Sequence, residues 1–424
     1  MRWLYLIAVY LAAPLHAALL AVRARTARDP HSARLAGRFG FGAPLAGRPV
    51  WIHAASVGEM QAAGTLVKAL RARHPDLPIL LTAFTPTGAA RATALGADIT
   101  VRYLPYDLPG SVRRFLDRVQ PRLAVILETE LWPTLFRQCR RRGVPLIIAS
   151  ARLSERSQRR YHRFGALLSE TLRGVVIAAQ SEQDAARFRA LGADPQRTHV
   201  SGNLKFDCAL APDIGLRGRR LRARYAPARP LWVAGSTHEG EESMMLTAHR
   251  QVLAVQPEAL LALAPRHPQR FEAVAALLDQ QGMAHVRHSH SVQPAQAARA
   301  QVLLLDTLGE LIDFYAAADA AFVGGSLVPV GGHNLLEPAA LGRPIATGPH
   351  QFNGADIAQL LVTRGAVRLV HNAAELADTL ITWLHDPAQR ARVGALGEAV
   401  VAENRGALER ILALITPLLR SREG

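Results

Sequence analysis

Residues 50–73 read VWIHAASVGEMQAAGTLVKALRAR. The opening VWIH (50–53) is short and almost wholly apolar, as a strand buried inside a parallel sheet should be. After a short turn, Gln61–Arg73 places Ala63, Leu66, Val67 and Leu70 on one helical face. A strand that feeds directly into an amphipathic helix is the repeating unit of doubly wound α/β sheets.

That unit recurs. PILLTAF (78–84), LAVILET (123–129), PLIIAS (145–150) and VVIAAQ (175–180) have the same strand character, and Val112–Val119 has helical spacing. The alternation breaks at 205–230, KFDCALAPDIGLRGRRLRARYAPARP, where prolines, glycines and a dense run of arginines suggest a linker with a short basic helix. It resumes with LWVAGS (231–236), ALLALAP (259–265), VLLLD (302–306), AAFVGG (320–325) and PIATG (344–348). The fold class is therefore α/β, with two Rossmann-like doubly wound domains facing a cleft. Sheets of this kind bind ligands beyond the carboxyl ends of their strands.

The bulk numbers agree. A chain of 424 residues exceeds one ordinary core, and 49% apolar with 20% charged residues is globular composition. A net charge of +16 asks for an anionic partner: phosphate, nucleic acid or a membrane surface. The arginines are dispersed and lack an aromatic platform, which disfavours nucleic acid. Two cysteines far apart, Cys139 and Cys208, make neither a disulfide framework nor a zinc site. G-x-G-x-x-G after a strand, the P-loop and H-E-x-x-H are all missing, so neither a dinucleotide cofactor nor those two chemistries are indicated.

The N-terminus stands apart. Trp3 to Val22, WLYLIAVYLAAPLHAALLAV, is 20 residues without a formal charge, just long enough to span a bilayer. Arg23, Arg25, Arg28, Arg34 and Arg38 follow, with Asp29 the lone acid, and such a flank stays cytoplasmic. We expect a membrane anchor over 1–22. Pro14 and His16 in mid-run keep open a helix that lies in the interface instead.

Several stretches bear chemistry. Ser56-Val57-Gly58-Glu59 fits a capping box, which satisfies free N–H groups at a helix start. It also closes the first strand, where Glu59, kept ionised by the helix N-terminus, could act as a general base. LETELWP (127–133) carries Glu128 and Glu130, which an extended segment would point the same way. SARLSERS (150–157) offers Arg152, Ser154 and Arg156 for an anionic acceptor, or for ordinary loop contacts. GGSLVPVGGHNLLEPAALGRP (324–344) has four glycines in nine positions, more than a cap needs, and suits backbone approach to a phosphate. Asn334 and Glu337 there also fit a capping box, and Glu337 could take ribose hydroxyls. Arg266 in APRHPQR and Gly309–Glu310 in DTLGEL close two further strands. A basic, glycine-rich half and a carboxylate-bearing half suggest a nucleotide-linked donor site opposite an acceptor site.

Taken in order, WIHAASVGE, LETELWP, ARLSERS, SGNLKFD, AGSTHEGEE, PRHPQRF, DTLGEL and GGSLVPVGGHNLLEP, behind an apolar N-terminus, resemble the bacterial 3-deoxy-D-manno-octulosonic acid (Kdo) transferases along nearly the whole chain. The resemblance implies a GT-B glycosyltransferase on the cytoplasmic face of the inner membrane. Its donor would be CMP-Kdo, its acceptor lipid IVA and its stereochemistry inverting, with no metal or other cofactor. It implies Glu59 as catalytic base, and Pro265, Arg266, Leu308, Gly309, Glu310, Asn334, Leu335, Leu336 and Glu337 as CMP contacts. Ser56, Gly58, Glu128, Glu130, Arg152 and Ser154 are acceptor-side candidates. The expected division is an anchor at 1–22, an acceptor domain at 23–204, a linker at 205–230 and a CMP-sugar domain at 231–401. A last helix at 402–424 would pack back on the first domain. Gln351-Phe352-Asn353-Gly354 departs from the family's usual Phe-Asn-Phe. Two alternatives share this fold: another nucleotide-sugar enzyme, such as a UDP-sugar transferase or epimerase, and a membrane-tethered binding protein without activity.

Overall fold

A computed structural model describes residues 2–26, 35–96, 98–207 and 210–420. Arg28, Asp29, Arg34 and Cys208, and the side chains of Arg23 and Arg25, lie outside that description. The chain divides into two compact units, Met1–Asp207 with Asn404–Gly424, and Cys208–Glu403.

The first unit is built on seven strands: β1 (Val50–Ala54), β2 (Ile79–Ala83), β3 (Thr100–Tyr103), β4 (Leu123–Leu127), β5 (Leu146–Ala151), β6 (Val176–Ala179) and β7 (Thr198–Val200). They pair in the order β3-β2-β1-β4-β5-β6-β7, parallel throughout. Val50 faces Ile79 on one side and Leu123 on the other, so β1 is central and buried at every residue. Side chains alternate across the sheet. Ile52 packs with Leu66, Leu70 and Leu81 on one face, while Trp51 packs with Phe115, Ala124 and Phe136 on the other.

The second unit repeats the plan with β8 (Leu231–Thr237), β9 (Leu260–Pro265), β10 (His285–Arg287), β11 (Val302–Leu304), β12 (Ala320–Val323), β13 (Ile345–Thr347) and β14 (Val367–Leu369). Their order is β10-β11-β9-β8-β12-β13-β14, again all parallel. In each unit the strand order reverses beside the first strand, between β1 and β4 and between β8 and β12. Such reversals open the crevice where doubly wound sheets take their ligands.

The 205–230 segment is not an open linker. Leu204–Asp207 form a 3-10 turn inside the first unit, with Leu204 and Phe206 buried. Ile214–Tyr225 is a twelve-residue helix of the second unit. Two of its arginines are engaged: Arg217 pairs with Asp313 at 3.2 Å, and Arg222 donates to Asp319 at 2.8 Å and to the Arg229 carbonyl at 2.7 Å. The last helix, Ala407–Arg420, belongs to the first unit and buries Ile411, Leu412, Ile415 and Leu419 in its core. Asp207 fixes the return by accepting from the Gly406 and Leu408 amides, each at 2.7 Å.

The N-terminal helix, Arg2–Thr26, lies against the first unit. Tyr5 donates to the buried Asp107 at 2.6 Å, and Asp107 also caps the helix Pro133–Arg141 by accepting from the Thr134 and Leu135 amides. His16 stacks on Phe84 and hydrogen-bonds Tyr106 at 3.0 Å, while Val9 and Ala13 pack with Phe39, Tyr106 and Leu108. Trp3, Leu4, Ile7, Tyr10, Leu11 and Leu15 remain exposed. Among the described residues no helix is long and apolar enough to cross a membrane.

Candidate active site

In the first unit the crevice is lined from β1 and β4. The turn after β1 leads into the helix Val57–Arg73, capped by Ser56, whose side chain accepts from the Glu59 amide at 3.2 Å. Ser56 Oγ in turn donates to Glu59 Oε1 at 2.8 Å, and the Ala55 amide donates to Oε2 at 2.8 Å. Glu59 is therefore a cap in fact, but an unusual one, since the residue is only 8% exposed. Burial pushes it up to about 7, helped by Glu128 and then Glu130, against the two hydrogen bonds that favour the charge. This corrects the expectation that the helix N-terminus keeps Glu59 ionised: desolvation outweighs the dipole. A carboxyl poised near neutrality is well suited to general base work.

Glu128 and Glu130 do reach Glu59 electrostatically, though not by the expected extended geometry. The chain turns at Glu128 and Thr129, and Glu128 has a positive φ of 57°, a costly conformation for a residue with a side chain. Glu128 pairs with Lys205 at 2.6 Å. Lys205 Nζ also lies 3.9 Å from where a Cβ on Gly58 would stand, so a cation enters this carboxylate cluster. Glu130 is raised as well, chiefly by burial. Lys205 was not among the site residues read from the sequence, because it sat in the segment taken for a linker. Arg152 is half-buried, and its carbonyl accepts from Thr129, which ties the SARLSERS loop to the Glu128 turn. Ser154 caps the helix Glu155–His162, accepting from the Ser157 amide at 3.1 Å, a local structural role. Ser56 and Gly58 are exposed beside Glu59.

In the second unit the ends of β8, β9 and β12 converge. The Arg266 amide donates to the Thr237 carbonyl at 2.9 Å, which sets the exposed Arg266 beside β8. The glycine-rich loop after β12 needs a different explanation from the one its composition suggested. The fully buried Glu241 accepts from the amides of Gly325 (2.7 Å), Ser326 (2.9 Å), Leu327 (2.9 Å) and His238 (2.9 Å). Those amides serve a protein carboxylate, so this part of the loop is closed to a phosphate. The glycines answer to packing. A Cβ on Gly331 would stand 2.4 Å from Phe352, and one on Gly332 would stand 2.3 Å from Gln351 Oε1. The Gln351–Asn353 segment thus clamps the loop, with Asn353 Nδ2 donating to the Val330 carbonyl at 3.1 Å.

The loop brings its second half to the strand ends. Asn334 donates to Glu337 at 3.0 Å and accepts from the Leu336 amide at 3.0 Å, while Leu335 and Leu336 are buried. Leu308 and Gly309 are exposed after β11, Leu308 at 67%, and Pro265 is buried at the end of β9. Glu310 accepts from Thr307 and lies 3.4 Å from His288 Nε2. One contact was not anticipated. His238 Nε2 and His333 Nε2 are 2.8 Å apart, across the β8–β12 crevice.

Comparison with known proteins decides what these residues belong to. A 3-deoxy-D-manno-octulosonic acid transferase from Haemophilus influenzae is 42% identical over 392 residues, covering 91% of either chain. This chain belongs to the Kdo transferase family. The Kdo transferase from Bordetella pertussis is 41% identical over 430 residues, 97% of this chain and 98% of that one. The family model for 3-deoxy-D-manno-octulosonic-acid transferase (kdotransferase) matches residues 33–208. Among solved structures, the UDP-GlcNAc 2-epimerase of Neisseria meningitidis aligns over 87% of this chain and all of its own, with a TM-score of 0.56. At 12% identity that likeness speaks for the two-Rossmann-unit fold alone. Kdo transferases are glycosyltransferases, and the chain is an enzyme of that class.

Proposed function

We propose that this Kdo transferase moves Kdo from CMP-Kdo to lipid IVA in lipopolysaccharide core synthesis, with inversion at the anomeric carbon. The observation that carries the reading is Glu59: a buried carboxyl near neutrality, at the crevice of a chain 42% identical to a Kdo transferase over 91% of its length. In its ionised form Glu59 takes the proton of the acceptor hydroxyl. The hydroxyl oxygen then bonds to the anomeric carbon of Kdo as the bond from that carbon to the phosphate oxygen breaks, and CMP leaves with the electron pair. The Lys205–Glu128 pair sets the field around the base, where a positive charge offsets carboxylates that would otherwise hold Glu59 protonated. Arg266 suits the departing phosphate, and Asn334 and Glu337 suit the nucleoside. No metal or cofactor enters this scheme.

The enzyme works, in this reading, on the cytoplasmic face of the inner membrane. The N-terminal helix supports attachment by lying in the interface. One face is taken up by Tyr106, Asp107 and Phe84, and the other presents Trp3, Leu4, Ile7, Leu11 and Leu15 outward. The net charge of +16 suits anionic lipids and the phosphates of lipid IVA.

Donor specificity tests the reading. Purified protein with lipid IVA should release CMP from CMP-Kdo, add the mass of Kdo to the acceptor, and release no UDP from UDP-sugars. UDP release with no CMP release would assign the chain to a different nucleotide-sugar reaction.

A further inference from the structure

The helix Pro133–Arg141 has two faces. Leu135, Phe136 and Cys139 are buried in the core of the first unit. Arg137 and Arg140, three residues apart and so on one side of the helix, line a surface pocket of about 420 Å³ with Tyr5, Thr134, Gln138 and Glu170. Its walls are fixed by hydrogen bonds. The buried Asp107 accepts from the Tyr5 hydroxyl and from the Thr134 amide, so the N-terminal helix and the start of Pro133–Arg141 are pinned to one carboxylate. Arg140 Nη1 donates to the carbonyls of Glu170 (2.8 Å) and Arg173 (3.3 Å), which ties in the helix Gly165–Leu172.

The pocket holds more donors than it uses. Among the described residues Arg137 is paired with Glu170 alone, at 3.9 Å, and Arg140 Nη2 stands 3.8 Å from the same carboxylate. Both separations exceed a hydrogen bond. Gln138 Oε1 accepts from Arg142 at 2.7 Å, which leaves its N–H groups as donors. Two cations and an amide thus face one loosely held carboxylate, and Asp107 beside them is already met by three donors. The N-terminal helix sets the height of this pocket above a membrane. Tyr5 lies on its docked face, and Trp3 and Ile7, both exposed, stand roughly opposite at 3.6 residues per turn. An interfacial helix sinks its apolar face about 5–10 Å into the boundary of headgroups and acyl chains. The helix is itself about 10 Å across, so its Tyr5 side stands at the level of the lipid phosphates.

We propose that this pocket seats the phosphodiester of an anionic phospholipid such as phosphatidylglycerol, with Arg137 and Arg140 as its donors. Guanidinium groups match pairs of phosphate oxygens. The phosphate displaces Glu170, whose contacts to both arginines are long and whose side chain is partly exposed. A headgroup with its own ammonium would bring that charge against the arginines, so zwitterionic lipids bind less well. The inference rests on the N-terminal helix lying in the interface. It adds a seat for one lipid molecule to the diffuse attraction of a basic surface.

Isothermal titration of the full chain with dihexanoyl-phosphatidylglycerol, kept below its micelle concentration, tests the pocket without a membrane. Wild type should bind one molecule, more tightly than dihexanoyl-phosphatidylcholine or inorganic phosphate. Arg137→Gln should weaken binding by about ten-fold, the usual effect of losing a hydrogen bond to a charged group. Glu170→Gln should tighten it about two- to five-fold, the scale of an exposed ion pair. Glu155→Gln makes the same charge change on the helix Glu155–His162 and should leave binding unchanged. Equal affinity for the two lipids, or wild-type affinity in Arg137→Gln, would overturn the proposal. Inorganic phosphate that binds as tightly as the lipid would make this a site for free phosphate and overturn it too. So would an Arg137→Gln protein whose only defect is a raised KM for lipid IVA, which would seat the acceptor's phosphate there instead. Flotation with phosphatidylglycerol vesicles separates the pocket from the reading it rests on. Wild type that floats but does not bind the soluble lipid leaves the interfacial helix standing and removes the pocket. Wild type that does not float removes the interfacial reading, and the pocket falls with it.

Discussion

Glu59 shows how one residue can serve structure and chemistry through the same atoms. Its hydrogen bonds to Ser56 and Ala55 close the helix start, and the burial that comes with them raises its carboxyl to about 7. SVGE is legible as a cap in any sequence. Its acidity was not legible, because it depends on Glu128 and Glu130, brought in from β4 by the fold, and on a left-handed turn at Glu128 that local pattern did not indicate. The base must be ionised to act, so kcat/KM should fall as pH drops through about 7, along a single-proton limb set by Glu59. Glu128→Gln removes the nearest like charge and leaves Lys205 unopposed. Both effects favour the Glu59 carboxylate, so the limb should move to lower pH. A pH–rate profile of the two proteins checks this, and a limb that stays in place would mean that another group controls it.

At the scale of elements, ten of the fourteen strands among the described residues stand out in the sequence as short apolar runs. The four that do not are β3, β7, β10 and β14, the outer strands of the two sheets. An edge strand has one neighbour and a more accessible face, so TVRY, THV, HVR and VRL need not be uniformly apolar. The glycine-rich loop was legible as special, but the packing that its glycines serve was not. Its glycines make room for Gln351, Phe352 and His333, contacts between segments distant in sequence. The N-terminal helix divides in the same way. Its apolarity is plain in the sequence, whereas its docked face depends on Tyr106 and Asp107, about a hundred residues away. Replacing Leu4, Leu11 and Leu15 together by glutamate alters only exposed positions and spares Tyr5 and His16. The variant should lose most of its flotation with anionic vesicles while keeping the wild-type Tm. Undiminished flotation would mean that the basic surface alone holds the protein to lipid.

Across the whole molecule, two copies of one plan carry different chemistry at the same place. Each sheet reverses beside its first strand. The first unit sets Glu59, Glu128 and Glu130 there with Lys205, and the second sets His238, His333 and Arg266. This parallel was partly visible in advance, since LETELWP, APRHPQR and the glycine-rich loop all close apolar runs. Segment 205–230 was visible only in part: its short basic helix was legible, but not that Arg222 would be tied to Asp319 and to the Ala317 and Arg229 carbonyls. The central claim is that Glu59 is the base of Kdo transfer. The measurement that tests it most directly is single-turnover transfer from CMP-Kdo to lipid IVA at pH 8 by wild type and Glu59→Gln. Tm and CMP affinity would be measured on the same samples. The account predicts a rate loss of about 10² to 10⁴, the usual range for removing a general base. CMP affinity should be unchanged. Tm at pH 8 should be no lower than wild type, because a carboxyl raised from 4.5 to about 7 loses its stabilising proton as pH rises through that range. A folded, CMP-binding Glu59→Gln protein that transfers Kdo at the wild-type rate would contradict it.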